Sequence, residues 1–132
     1  MTAWWNFGAR LILRETYTHF KLDPRDTIAI RFVLGQPRDE DPGMKLFLQW
    51  EQERFGDMHF LNQTENMNNG KSYEYFADLA RSYPSLDPEE RPWDYAMKAD
   101  DDSLINLPQL AERLRTITPR WDTYVVRAHL FL

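Results

Sequence analysis

Thr27-Ile-Ala-Ile-Arg-Phe-Val-Leu-Gly35 and, further on, Asp57-Met-His-Phe-Leu61 are the two stretches whose reading decides the fold. The first is rich in β-branched and aromatic residues and is closed by glycine, which predicts a buried strand over Thr27 to Leu34. The second follows Gly56 and has the length of another strand. Between them, after a charged loop over Gln36 to Gly43, Asp41 stands as an N-cap ahead of Pro42. Met44, Phe47, Leu48 and Phe55 then recur at helical spacing over Gly43 to Phe55, with Leu46 and Trp50 beside them.

Working outward, Ala9 to His19 reads as a short helix with Leu11, Ile12 and Leu13 apolar and Arg10 and Arg14 four apart on one face. Asn62 to Gly70 is a polar connection. Ser72 to Tyr83 keeps Tyr73, Phe76, Ala77, Ala80 and Tyr83 at three-and-four spacing and is stopped by Pro84. Pro84 to Pro92 is a loop, and Trp93 to Ala99 has short-strand character. Asn106 caps a last helix whose stripe of Leu107, Leu110, Ala111, Leu114 and Ile117 ends at Pro119, and Tyr124 to Leu132 is a final apolar stretch. Strands alternating with helices of this length predict an α/β layer with a largely parallel sheet, in which ligands bind beyond the carboxyl ends of the strands.

A chain of 132 residues is enough for one domain, since a domain of this size buries roughly two-thirds of the surface its unfolded chain exposes. The apolar fraction of 42% and charged fraction of 28% are those of a globular protein. A formal charge of -5 offers no basic stripe to a phosphate backbone, so nucleic acid is not an expected partner. Cysteine is absent, which excludes a disulfide framework, thiolate metal ligation and cysteine nucleophiles. No run approaches the ~18 apolar residues of a membrane span. Asn62-Gln63-Thr64 has the form of an N-glycosylation acceptor, implying a secretory lumen, and equally of an ordinary polar turn.

The chemistry is expected where Trp93 to Ala99 runs into Asp100-Asp101-Asp102. In an extended chain successive side chains alternate, so Asp100 and Asp102 would point the same way and Asp101 elsewhere. Two such carboxylates suit a hard cation, Mn²⁺ or Mg²⁺, which keeps water and phosphate oxygens in its other positions. Aspartates are also turn formers and helix caps, and that reading stays open. A calcium loop is excluded because Leu104 and Ile105 fall where an acidic ligand and a glycine belong. A phosphotransferase using Asp100 as nucleophile is disfavoured by Leu104, which stands where that chemistry usually has Thr or Val.

Five segments in order carry a family resemblance. Arg10-Leu-Ile-Leu-Arg14-Glu-Thr16-Tyr17 resembles R-x-x-I-R-x-T-W, Phe32-Val-Leu-Gly35 resembles F-x-x-G, and Glu51-x-x-x-Phe55-Gly56-Asp57 resembles E-x-x-x-Y-G-D. Glu65 to Lys71 is similar to D/E-x-Y/M-x-N-x-x-K, and Lys98 to Asp102 to K-x-D-D-D. Together they resemble the β-1,3-galactosyltransferase family, with its N-acetylglucosaminyl- and fringe-type relatives. The resemblance implies a partial A-type glycosyltransferase (Rossmann-like) α/β fold, a mostly parallel sheet flanked by helices. It also implies a UDP-sugar donor, a glycan or glycoprotein acceptor, Mn²⁺ (or Mg²⁺), transfer with inversion and Golgi lumenal placement. By the same resemblance Asp102, with Asp100, would hold the metal, and Asp100 and Asp101 would lie near the ribose and diphosphate. Arg14 and Lys71 would be donor-side cations, their alternative reading being structural ion pairs or solvated surface.

Two departures set further expectations. The family carries a donor-binding strand ahead of the first helix, where here only Met1 to Gly8 stand, so that strand is expected to be shortened or missing. Of the acids after Asp102, Glu112 is expected to face solvent, and neither it nor Asp122 matches the family's general base, so no catalytic residue is assigned. The chain is therefore expected to be a single incomplete nucleotide-sugar-binding domain over residues 1–132.

Overall fold

The computed structural model describes residues 1–37, 41–66, 70–84, 90 and 92–117. The predicted stretches at Met67 to Asn69, Asp122 and Tyr124 to Leu132 lie outside these. At the centre, β1 (Phe32–Gln36) and β2 (Met58–Thr64) pair in parallel, Phe32 opposite Met58 and Leu34 opposite Phe60. Around them stand α1 (Phe7–Thr18), α2 (Pro42–Phe55), α3 (Lys71–Ser82) and α4 (Leu107–Leu114). Among the described residues the architecture is α/β, with a two-stranded parallel sheet and four helices.

β1 begins at Phe32 and not at Thr27, and the register explains the difference. Phe32 N–H bonds to the Asp57 carbonyl at 2.8 Å, and the chain before Asp57 turns through Gly56 out of α2. Among the described residues, those ahead of Phe32 therefore have no partner strand beside them. The crossover itself follows the sequence signals. The Asp41 carboxylate accepts from Met44 N–H at 2.9 Å, and Gly56 closes α2 in the left-handed conformation, φ 67°. That conformation favours glycine.

β2 runs on to Thr64, so Asn62-Gln63-Thr64 belongs to the strand and not to the predicted polar connection. The ladder slips between Leu34 and Gln36, which pairs with Thr64. At that slip Gly35 N–H donates to Glu65 Oε2 at 2.8 Å, and a Cβ on Gly35 would lie 2.6 Å from Glu65 Cα. Only glycine lets the two backbones come this close.

Trp93 to Ala99, expected as a strand, is not one in the described structure. The shortened first strand has a counterpart in position, if not in regular geometry. Thr2 N–H donates to the Val33 carbonyl at 3.2 Å, and the Met1 nitrogen donates to the Ala99 carbonyl. Met1 to Ala3 thus lies between β1 and Ala99, with Thr2 and Ala3 fully buried.

Leu13, Phe32, Leu34, Leu48 and Met58 form the core cluster, with Trp4, Tyr17, Met44 and Phe60 packed against it. α1 does not bury its most apolar side chains, since Leu11 and Ile12 are 44% and 68% exposed while Arg10 and Leu13 face inward. A buried arginine needs a partner, and the next section identifies it.

Replacing Gly35 with Ala should lower stability by about 1–3 kcal/mol, the usual range for overpacking against unyielding atoms. Urea unfolding followed by circular dichroism reads this directly, and an unchanged midpoint would show that the approach to Glu65 has slack.

Candidate functional site

The aspartate triplet opens a turn. Ser103 N–H bonds to the Asp100 carbonyl at 3.1 Å, closing the chain across Asp101 and Asp102. The two-residue alternation expected of an extended segment therefore does not run through the triplet, and the three carboxylates enter three different settings. Asp101 turns inward, where its Oδ2 accepts from Thr2 Oγ1 at 2.6 Å and from Asn6 Nδ2 at 2.9 Å. Asp100 meets Lys98 Nζ at 2.7 Å in a partly exposed ion pair. Asp102 is exposed, and its Oδ1 accepts from its neighbour Ser103 at 3.2 Å. Among the described residues no group of three or more His, Cys, Asp or Glu side chains is gathered to hold a metal ion.

The turn rests on a charged frame. Arg10 is fully buried and binds Glu51 side-on, Nε to Oε1 at 2.8 Å and Nη2 to Oε2 at 2.6 Å. The same guanidinium donates to the Ala3 carbonyl at 2.6 Å and the Trp4 carbonyl at 3.3 Å, fixing the backbone that carries Thr2 and Asn6. Arg14, one turn on, binds Asp57 at 2.8 Å through both Nε and Nη2. Its Nη1 lies 2.7 Å from Glu51 Oε1, an ion-pair contact without hydrogen-bond alignment. Its guanidinium also sits over Phe55 and Phe32, 4.0 and 4.8 Å from the ring centroids. Burial alone would lower the Arg14 pKa, but the hydrogen bonds it donates to Asp57, together with the adjacent Glu51 carboxylate, outweigh it and raise it.

Lys71, the first residue of α3, is 3% exposed and lies 2.7 and 2.8 Å from the Glu65 oxygens. It also donates to the Thr2 carbonyl at 2.5 Å. Arg14 and Lys71 thus form the internal ion pairs that were the alternative reading of their charge. Burial lowers the Met1 amino pKa, against the pull of the Asp100 and Asp101 carboxylates.

Two shallow depressions lie away from the triplet. One, of about 440 Å³, is lined by Asp23, Asp26, Asn106, Gln109, Glu112 and Arg115 among others; the other, of about 450 Å³, by Leu11, Arg14, Tyr17, Phe55 and Asp57 among others. Glu112 is exposed, as its place on the polar side of α4 implies. Thr2, Asn6, Arg10, Glu51, Asp57 and Glu65 carry the site's frame, and none of them is given a site role by the sequence alone. A usable signal lay in the motif segments, where the basic R-x-x-x-R precedes acidic E-x-x-x-F-G-D.

Comparison with known proteins adds an independent finding. The galactosyltransferase family model matches residues 8–127. The chain is similar to beta-1,3-galactosyltransferase pvg3 of Schizosaccharomyces pombe, 28% identical over 83% of this chain and 40% of that protein. It is also similar to UDP-GlcNAc:betaGal beta-1,3-N-acetylglucosaminyltransferase 8 of Mus musculus, 25% identical over 96% of this chain and 30% of the relative. The Homo sapiens counterpart is 28% identical over 86% and 26%. The chain thus spans less than half the length of these relatives. No solved structure matches.

Glu51→Ala leaves two guanidinium groups without their shared carboxylate and should cost about 3–5 kcal/mol, the range for breaking one side of a buried pair. The double variant Arg10→Met/Glu51→Leu should recover part of that loss in equilibrium unfolding. Equal stability of wild type and Glu51→Ala would contradict the frame described here.

Proposed function

From the premise that the chain belongs to the galactosyltransferase family, we propose that it is the donor-binding part of a hexosyltransferase. That enzyme moves a sugar from a UDP-sugar to a glycan or glycoprotein acceptor, with inversion, on an A-type (Rossmann-like) scaffold in the Golgi lumen. No helix among the described residues is long and apolar enough to cross a membrane. The observation that carries the reading is the Asp100–Ser103 turn. Asp101 is held by Thr2 and Asn6 while Asp102 stands exposed beside it.

The oxygen-only chemistry of Asp100 and Asp102 suits Mn²⁺ or Mg²⁺. Such ions take oxygen ligands and are commonly held by one or two carboxylates, with water and substrate phosphate completing the shell. Asp102 is the main proposed ligand. Asp100 is the second, because its partly exposed pair with Lys98 is of a kind worth at most about 1 kcal/mol and exchanges readily. A cation held by Asp102 and Asp100 would supply Lewis-acid stabilisation of the charge that develops on the departing nucleoside diphosphate. Asp101 acts in this scheme through position, fixing the turn so that its neighbours face the donor. Lys71 and Arg14 serve by holding the Thr2 backbone and the start of β2, and their ion pairs would have to open for either to reach a phosphate directly.

That last point favours a second reading, a non-catalytic remnant or fragment of such an enzyme that lacks the acceptor half and general base and moves no sugar. Both predicted donor-side cations are engaged internally. The proton of the acceptor hydroxyl still needs a carboxylate base, and Asp102 itself is assigned to the metal.

Calorimetric titration with UDP in the presence of Mn²⁺ should give saturable binding that disappears with a chelator. Binding should weaken at least tenfold in Asp102→Ala, with the far-UV circular dichroism unchanged. Metal-independent binding of the same strength in wild type and variant would sink the proposal. Absence of sugar transfer from a UDP-sugar to a glycan acceptor by the folded protein would select the second reading.

A further inference from the structure

Asn62-Gln63-Thr64 is the only Asn-x-Ser/Thr tripeptide in the chain. The proposed donor site makes no use of it. The structure places it in β2, where side chains two apart share a face. Burial follows that rule, since Leu61 is 1% exposed, Asn62 exposed, Gln63 half-buried and Thr64 exposed again. Asn62 and Thr64 therefore project together, and the Gln63 amide nitrogen turns into the protein.

The same three residues span the slip in the ladder. β1 goes from Leu34 to Gln36 while β2 goes from Phe60 to Thr64, so β2 carries extra residues at this irregularity. Gln36 pins both of its flanks. Its Nε2 donates to the Leu61 carbonyl at 3.1 Å, and its carbonyl accepts from Glu65 N–H at 2.9 Å. Among the described residues nothing bonds the Asn62 side-chain amide, so a substituent there disturbs neither the ladder nor the Lys71–Glu65 pair.

We infer that Asn62 is an N-linked glycosylation acceptor, displayed on the outer face of β2. The co-substrate is an oligosaccharide carried on a polyisoprenyl diphosphate. The Asn62 amide nitrogen forms a bond to the sugar's anomeric carbon, and the bond from that carbon to the diphosphate oxygen breaks. The amide gives up one proton, and the lipid diphosphate leaves. The glycan then stands on the exposed face of β2 that Asn62 and Thr64 share. The inference rests on the secretory placement in the proposed function.

The test directs the full chain into the secretory lumen of a eukaryotic cell behind a cleavable signal sequence. The expected product is protected from external protease, migrates as one heavier species and collapses to the unmodified mass with peptide N-glycosidase. The shift should vanish in Asn62→Gln and Thr64→Ala and persist in Thr64→Ser. The purified glycoform should also unfold at the same midpoint as its enzymatically deglycosylated counterpart. A lumenal, unmodified wild type would overturn the inference, as would a shift that survives Asn62→Gln or a glycoform that fails to fold. Because the signal enforces entry, these failures count against Asn62 alone. The native protein residing in the cytosol would instead count against the secretory placement.

Discussion

Glu51 sits with no solvent exposure between Arg10 and Arg14, and the rest of the described structure is arranged around that carboxylate. Burying three charges is expensive, and such groups add little net stability relative to apolar residues of the same shape. Their consequence is directional. Arg10 and Arg14 leave α1 one turn apart and converge on a residue near the end of α2, which sets the rotation of one helix against the other. An apolar contact would tolerate slippage where a bidentate guanidinium and carboxylate pair does not. The requirement also explains why Leu11 and Ile12 remain exposed while an arginine enters the core.

From Glu51 the constraint spreads in two directions. Through Arg10 it reaches the Ala3 and Trp4 carbonyls and holds Met1 to Ala3 alongside β1. Through Arg14 it reaches Asp57, whose carbonyl starts the pairing of β1 and β2. Lys71 closes the arrangement by joining Glu65, after β2, to the Thr2 carbonyl. Thr2 and Asn6 then grip Asp101. The acidic turn, far along the chain, is thus placed by the first few residues and by ion pairs among α1, α2, β2 and α3. The turn's position is set by the fold as a whole and not by its neighbours in sequence.

Much of this was legible in the sequence where the signals are local. The Asp41 cap, Pro42 and Gly56 mark α2 correctly, and Asn106 caps α4 through Gln109 N–H as its position suggests. Gly35 marks a real constraint, although its cause is the approach of Glu65 and not the end of a strand. The misreadings share one origin, which is that strand limits and side-chain facing depend on partners distant in sequence. Thr27 to Arg31 has strand composition but no partner strand among the described residues. Trp93 to Ala99 leads into a turn, so the alternation expected of Asp100 and Asp102 stops there. The charges of Arg14 and Lys71 leave a ligand-directed and an ion-pair reading open in the sequence, and only the fold brings Asp57, Glu51 and Glu65 beside them. The family order of motifs was visible throughout, and those motifs also encode the internal ion pairs.

The central claim is that the exposed carboxylate of the Asp100–Ser103 turn holds a divalent cation against a nucleoside diphosphate. Anomalous diffraction at the manganese edge, from crystals of the protein grown with UDP and Mn²⁺, tests it most directly. The expected result is a metal peak bonded to Asp102 and to diphosphate oxygens, with Asp101 still held by Thr2 and Asn6. Ordered UDP with its metal bound elsewhere, or with no metal beside Asp102, would contradict it.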